Sequence, residues 1–217
     1  SELDAIFELT DSSTSGGSGD LARGTALLYN ISDTATNVFS TGTPGVMPTS
    51  GVKTAQNATN LTITDLITVA QALDANTKRS GLSTTTFFIE DSVSNYASIT
   101  AAVTTAATTV KLKDTLTALD GASDANKTAV NGFVVTDTVD PASTGDVTKV
   151  NALAALSGKT ISYSLTSSTY AELTSTTSGV STAVAAANSL TISDAVTVAQ
   201  FNTLDAATSA TITAATL

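Results

Sequence analysis

The 217-residue chain contains no His and no Cys. That removes the commonest general bases, the thiol nucleophile and the usual zinc and iron–sulfur ligands. Aspartate is what remains in a pattern. Ile31-Ser32-Asp33, Ile63-Thr64-Asp65, Ile89-Glu90-Asp91, Leu112-Lys113-Asp114, Val135-Thr136-Asp137 and Ile192-Ser193-Asp194 all read apolar–x–Asp. Two readings follow. Carboxylates stacked at the ends of neighbouring strands would lie about 4.8 Å apart, and calcium, which takes six to eight oxygens, would relieve their repulsion. On that reading Asp65, Asp91, Asp114, Asp137 and Asp194 are the candidate metal ligands and Ca2+ the candidate cofactor. On the other reading each Asp ends its strand and accepts a turn amide, as Asp commonly does.

Sharper calcium motifs are missing. Gly16-Gly17-Ser18-Gly19-Asp20 approaches a glycine-rich calcium nonapeptide, but the Asp comes one residue early and no second copy follows. No D-x-D/N-x-D/N-G loop occurs. Asp120-Gly121-Ala122-Ser123-Asp124 reads as a helix stop followed by the next N-cap. A phosphate-cradling glycine loop and a G-x-S-x-G elbow are also absent. A lyase or carboxylate-pair hydrolase would need acids matched with cations. The arginines are only Arg23 and Arg79, and Glu90-Asp91 would alternate faces on a strand. The expectation is that the chain is not an enzyme and has no catalytic residues.

Composition narrows the partners. Net charge is −10 and the pI about 4.1, with nine Lys and Arg scattered along the chain. No basic cluster exists to neutralise phosphates, so nucleic acid is not expected as a partner. Nor does any apolar run reach the length of a membrane span, so no membrane insertion is expected. Ser1-Glu2-Leu3-Asp4 is not a secretory leader, and the chain is expected to be a processed form or part of something longer. Only 13% of residues are charged and 5% aromatic, whereas Thr makes up about a fifth. With mean hydropathy +0.21 the chain should fold, and its core must be built thinly from Ala, Val, Ile and Leu. Thr62/Thr64 and Thr211/Thr213 suggest a water-ordering hydroxyl array, which Phe88-Ile89-Glu90 and Lys111-Leu112-Lys113 would interrupt. Asn-x-Ser/Thr sequons at Asn30, Asn57, Asn60 and Asn126 are expected by chance in so hydroxyl-rich a chain.

Repetition is the strongest signal. Leu61-Thr-Ile-Thr-Asp-Leu-Ile-Thr-Val-Ala-Gln71 matches Leu190-Thr-Ile-Ser-Asp-Ala-Val-Thr-Val-Ala-Gln200 at eight of eleven positions. Successive patterned Asp residues are separated by 32, 26, 23, 23 and 57 residues, the last gap spanning a degenerate copy at Ser162-Tyr163-Ser164-Leu165-Thr166. Such periods mean stacked supersecondary units. Leu61–Thr64 and Leu190–Ser193 alternate apolar and hydroxyl residues, as half-buried strands do. Thr68-x-x-Gln71, Thr197-x-x-Gln200 and Thr169-x-x-Glu172 are capping boxes that open helices. Lys78, Arg79 and Gly81 suit the end of the first. Ile99, Val103, Ala106 and Val110 recur at helical spacing.

The predicted fold is an α/β repeat solenoid of six or seven coils, with a parallel sheet on one side and short helices on the other. The alternative is a right-handed parallel β-helix. Residues 1–24 form an N-terminal segment with a Ser/Gly linker, and 25–217 the solenoid. Pro44 and Pro48 mark a loose stretch, and 210–217 reads as a further strand without a polar cap. That strand is expected to support self-association or a head-to-tail array.

The segment at 190–200, with Val135-Thr-Asp-Thr138 and the Ala- and Thr-rich helices between, resembles the repeats of very large bacterial surface proteins, cyanobacterial ones among them. The resemblance covers roughly residues 25–217 and is one of repeat style. It implies an exported, extracellular or cell-surface structural protein: an S-layer, fibre or adhesin stalk element, calcium-dependent in many members. Glycans are candidate partners. The alternative is a carbohydrate-binding or carbohydrate-cleaving solenoid, such as a phage tail-fibre segment.

Overall fold

The computed structural model describes residues 30–39, 47, 58–79 and 84–216. The predicted N-terminal segment and linker, the glycine-rich run at 16–20, Pro44, Pro48, Asn57 and Gly81 all lie outside them. The chain is of the α/β class. Its nine described strands form two sheets, one of six and one of three, each ordered as in the sequence and parallel in pairing, with helical segments in the connections.

Two compact units are distinguished, one made of described residues up to Ile89 together with Ser98–Thr108, the other of Glu90–Ala97 and the residues from Thr109 onward. In the first, β1 (Asn30–Asp33) pairs with β2 (Asn60–Ile67), which pairs with β3 (Thr85–Asp91). Helices α1 (Ala35–Val38), α2 (Val69–Lys78) and α4 (Ala101–Ala106) belong here, and α2 packs on α4. Along β3, Thr85, Phe87 and Ile89 are buried while Thr86 is exposed, the alternation a half-covered strand requires.

The second unit carries α3 (Val93–Tyr96), β4 (Thr109–Asp114), α5 (Leu116–Gly121), α6 (Asp124–Ala129), β5 (Gly132–Val135) and α7 (Thr144–Ala154). There follow β6 (Thr160–Ser162), β7 (Ser164–Ser168), α8 (Tyr170–Leu173), α9 (Val180–Ala186), β8 (Ser189–Ala195), α10 (Val198–Ala207) and β9 (Thr211–Thr216). Leu112, Phe133 and Ile161 share one register row, and Leu165, Leu190 and Ile212 another. Gly132 is required by close approach, because a Cβ there would meet the Thr160 carbonyl oxygen at 2.5 Å. β1 to β6 belong to one sheet and β7 to β9 to another, so β6 and β7, though close in sequence, do not share a sheet. The predicted strand within 210–217 is β9.

Two local expectations are corrected. Ile99 to Val110 is not one helix: α4 ends at Ala106, Ala107 is extended and Val110 lies on β4. Helical spacing persisted there because a buried Val103 and a buried Val110 happen to be seven apart. Asp65 and Asp194 do not end their strands. Each lies inside, where β2 and β8 carry extra residues relative to their partners between Thr62 and Leu66 and between Ile192 and Ala195. The segment 120–124 holds a helix stop and the next N-cap, as expected: the cap is Ser123, whose hydroxyl accepts from the Asn126 amide, and Asp124 occupies the first turn.

Tyr163 separates β6 from β7. Only 2% exposed, it donates its hydroxyl to the Ala183 carbonyl at 2.5 Å. Burial pushes its pKa up to about 12. The neutral phenol is therefore favoured by folding, and the stability this confers is complete below pH 10 and lost as pH rises toward 12. Tyr163→Phe should cost about 1 kcal/mol at neutral pH through the lost hydrogen bond, yet flatten the alkaline decline. Melts at pH 8 and pH 11 measure both; an unchanged alkaline slope would show that Tyr163 does not carry it.

Candidate functional site

The aspartates are the place to look for chemistry, and their surroundings are made of backbone amides. Asp65 Oδ1 accepts from the Ala35 amide at 2.5 Å, and Asp114 Oδ2 from Val93 at 3.2 Å. Asp137 Oδ1 accepts from Leu116 at 2.7 Å, and Asp194 Oδ1 from Tyr170 at 2.9 Å. Every donor is the first residue of a helix, and every acceptor follows on the next strand level. A helix start leaves amides without intrahelical partners and carries a partial positive charge. The carboxylate of one level thus completes the helix of the level before it.

A second use is local. Asp33, Asp91 and Asp114 directly precede an N-cap and accept its amide, from Thr34 at 2.8 Å, Ser92 at 2.8 Å and Thr115 at 2.9 Å. Asn37 and Asn95, three residues past their caps, donate to Asp33 and Asp91 at 2.7 and 2.8 Å. At three caps with no Asp before them, a capping box does this work. Gln71, Glu172 and Gln200 accept from the amides of Thr68, Thr169 and Thr197 at 2.9, 2.7 and 2.9 Å. The two devices replace one another. The level at 160–168 lacks the Asp, and the helix before it, α7, is opened by its own residues: Asp140 accepts from Ala142 at 2.8 Å and Ser143 from Asp146 at 3.2 Å.

Of the two readings of the aspartates, the amide-accepting one describes Asp65, Asp91, Asp114, Asp137 and Asp194 as they stand. Among the described residues no three acidic side chains gather into a group that could hold a metal ion.

Sequence reasoning missed Asn131 and Asn188. Each precedes a strand, and its side-chain oxygen accepts from an earlier backbone amide, that of Val110 on β4 at 2.8 Å or that of Tyr163 between β6 and β7 at 2.9 Å. Its own N–H donates back to the same residue at 2.7 and 2.9 Å, and its carbonyl accepts from the strand after, from Thr160 and Thr211 at 3.1 Å. Three successive levels are joined at one residue. The usable signal was the offset, since each Asn lies six residues before a patterned Asp.

The cations are occupied similarly. Lys159 Nζ bonds the carbonyls of Thr128, at 2.6 Å, and Val130, Lys127 Nζ bonds the Asp120 carbonyl, and Lys113 pairs with Glu90 at 2.8 Å. Arg79 reaches the Ala58 carbonyl at 3.0 Å and Thr85 at 2.9 Å, beyond a helix that ends at Lys78 as expected. Hydroxyls form short rows along the sheets. Ser32, Thr62 and Thr86 are in register, as are Ser164, Ser189 and Thr211, and Ser189 bonds Ser164 at 2.7 Å. Lys111 and Lys113 align instead with Gly132 and Val134, which interrupt any continuous array. Among the described residues no helix is long and apolar enough to cross a membrane.

Comparison with protein-family models, with curated proteins and with solved structures finds no match.

Proposed function

We propose that the chain is a β/α solenoid serving as a non-catalytic structural or adhesive element of an extracellular or cell-surface protein. The observation that carries this reading is where the polar side chains go. Four of the aspartates, Asn131, Asn188 and Lys159 bind the backbone of a neighbouring level. A solenoid is held by such nearest-neighbour contacts, whereas an enzyme must leave some of its acids and bases facing a substrate. The strands add rows of uncharged hydroxyls, suited to a coat or a contact with other polar surfaces. In this reading the carboxylates stabilise helix starts and calcium is not needed for folding.

Antibody raised against the chain is expected to label intact source cells or their shed surface material. Labelling that appears only after the cells are permeabilised would overturn the proposed location and with it the role.

A further inference from the structure

Asn131-Gly132 is the one Asn-Gly pair in the 217 residues. In an unfolded chain an asparagine cyclises most readily when glycine follows it, because the next amide nitrogen is then unshielded by a Cβ. Here the fold demands both residues for other reasons. Asn131 joins β4 to β5 and β6. Its Oδ1 accepts from the Val110 amide at 2.8 Å, its N–H donates to the Val110 carbonyl at 2.7 Å, and its carbonyl accepts from the Thr160 amide at 3.1 Å. Gly132 has no room for a side chain, since a Cβ would meet the Thr160 carbonyl oxygen at 2.5 Å. Two packing needs thus set a labile pair at the entry to β5.

The same contacts hold the chemistry off. Cyclisation requires the Gly132 nitrogen to give up its proton and attack Asn131 Cγ. Asn131 is exposed, but Gly132 is buried, away from water and base, and the carboxamide is tethered to β4. We propose that Asn131 is a site of spontaneous deamidation that the intact β4–β5–β6 joint keeps closed, and that the reaction, once the joint has opened, prevents it from re-forming. The Gly132 nitrogen bonds to Asn131 Cγ, its proton passes to solvent base, and the Cγ–Nδ2 bond breaks with release of ammonia, leaving a succinimide. Water then opens either ring carbonyl, giving aspartate or, mainly, isoaspartate. Aspartate keeps an oxygen for the Val110 amide. Isoaspartate adds a methylene to the main chain between the N–H given to Val110 and the carbonyl given to Thr160, which throws the two bonds out of register. This chemistry is independent of the proposed surface role.

Asn188 supplies an internal control. Its Oδ1 and N–H meet Tyr163, both at 2.9 Å, and its carbonyl meets Thr211 at 3.1 Å, but Ser189 follows it. The test is to incubate the 217-residue chain at neutral pH, folded and in guanidinium chloride, and to follow each asparagine by peptide mass mapping with separation of the isoaspartyl form. Unfolded, Asn131 should convert first and Asn188 more slowly. Folded, Asn131 should convert at least about tenfold more slowly than unfolded, since only the opened fraction reacts. Ser189→Gly should bring Asn188 to the rate of Asn131 in the unfolded chain, yet leave it protected in the folded one. Protein aged in denaturant until Asn131 is converted, then refolded, should melt below Asn131→Asp protein aged alongside it.

Another asparagine converting before Asn131 in the unfolded chain would remove the site. A folded chain that loses the Asn131 amide as fast as the unfolded one would show that the joint does not guard it, as would a folded Ser189→Gly chain that deamidates freely at Asn188. Aged protein that regains the midpoint of Asn131→Asp would overturn the block on refolding.

Discussion

Ile63→Ala and Ile192→Ala are each expected to lower stability by about 3 kcal/mol, within the range for burying-to-cavity changes at aliphatic core positions. Both side chains are fully buried. Each stands on a strand two residues before an Asp that accepts from the preceding helix, and each is followed by a capping box of the same residue types. Equal burial at the same place in the repeat should give similar losses. For a chain of this size the melting midpoint should fall by about 6–12 °C in either variant. Thermal and urea melts of the two proteins decide the matter. A loss confined to one of them would mean that the two segments, despite their shared sequence, are not the same structural unit.

Asp114→Ala should have the second-largest effect, because Asp114 serves two helix starts at once. It accepts from the Thr115 amide of its own connection and from Val93 of the previous one. A hydrogen bond to a charged group contributes about 1.5–3 kcal/mol, and water reaching this half-buried carboxylate offsets part of it. The net loss should be about 2 kcal/mol, a fall of about 4–8 °C in midpoint. Millimolar calcium should leave the parent's midpoint unchanged, since a ligand stabilises a fold only by binding it. A calcium-dependent rise that disappears in Asp114→Ala would restore the metal reading of the ladder.

Capping chemistry is the part of this molecule that a reader of the sequence sees best. Thr68, Thr169 and Thr197 cap helices because Gln or Glu stands three residues on, and that spacing acts over a single turn. The strands at Leu61 and Leu190 were visible for a similar reason: alternation is a local property. Parallel pairing followed from the spacing of the repeats.

What stayed hidden depends on the neighbouring level. Nothing within residues 61–67 says that β2 continues past Asp65, because the extra residues are counted against β3. The choice between chelation and capping at the aspartates was open for the same reason, as the deciding amides lie more than 20 residues upstream. Asn131 and Asn188 escaped notice because Asn before a strand is ordinary until the strand behind it is known.

The direction of the aspartate contacts bears on how the polypeptide is made. The first amides of α1, α3, α5 and α8 find their acceptors 30, 21, 21 and 24 residues later in the chain. During synthesis from the amino end, each of these helices is therefore left one acceptor short until the ribosome has added another two dozen or so residues. Each newly finished segment that brings such an aspartate then consolidates the one released just ahead of it, so at these places ordering would follow the growing chain from its older portion to its newer.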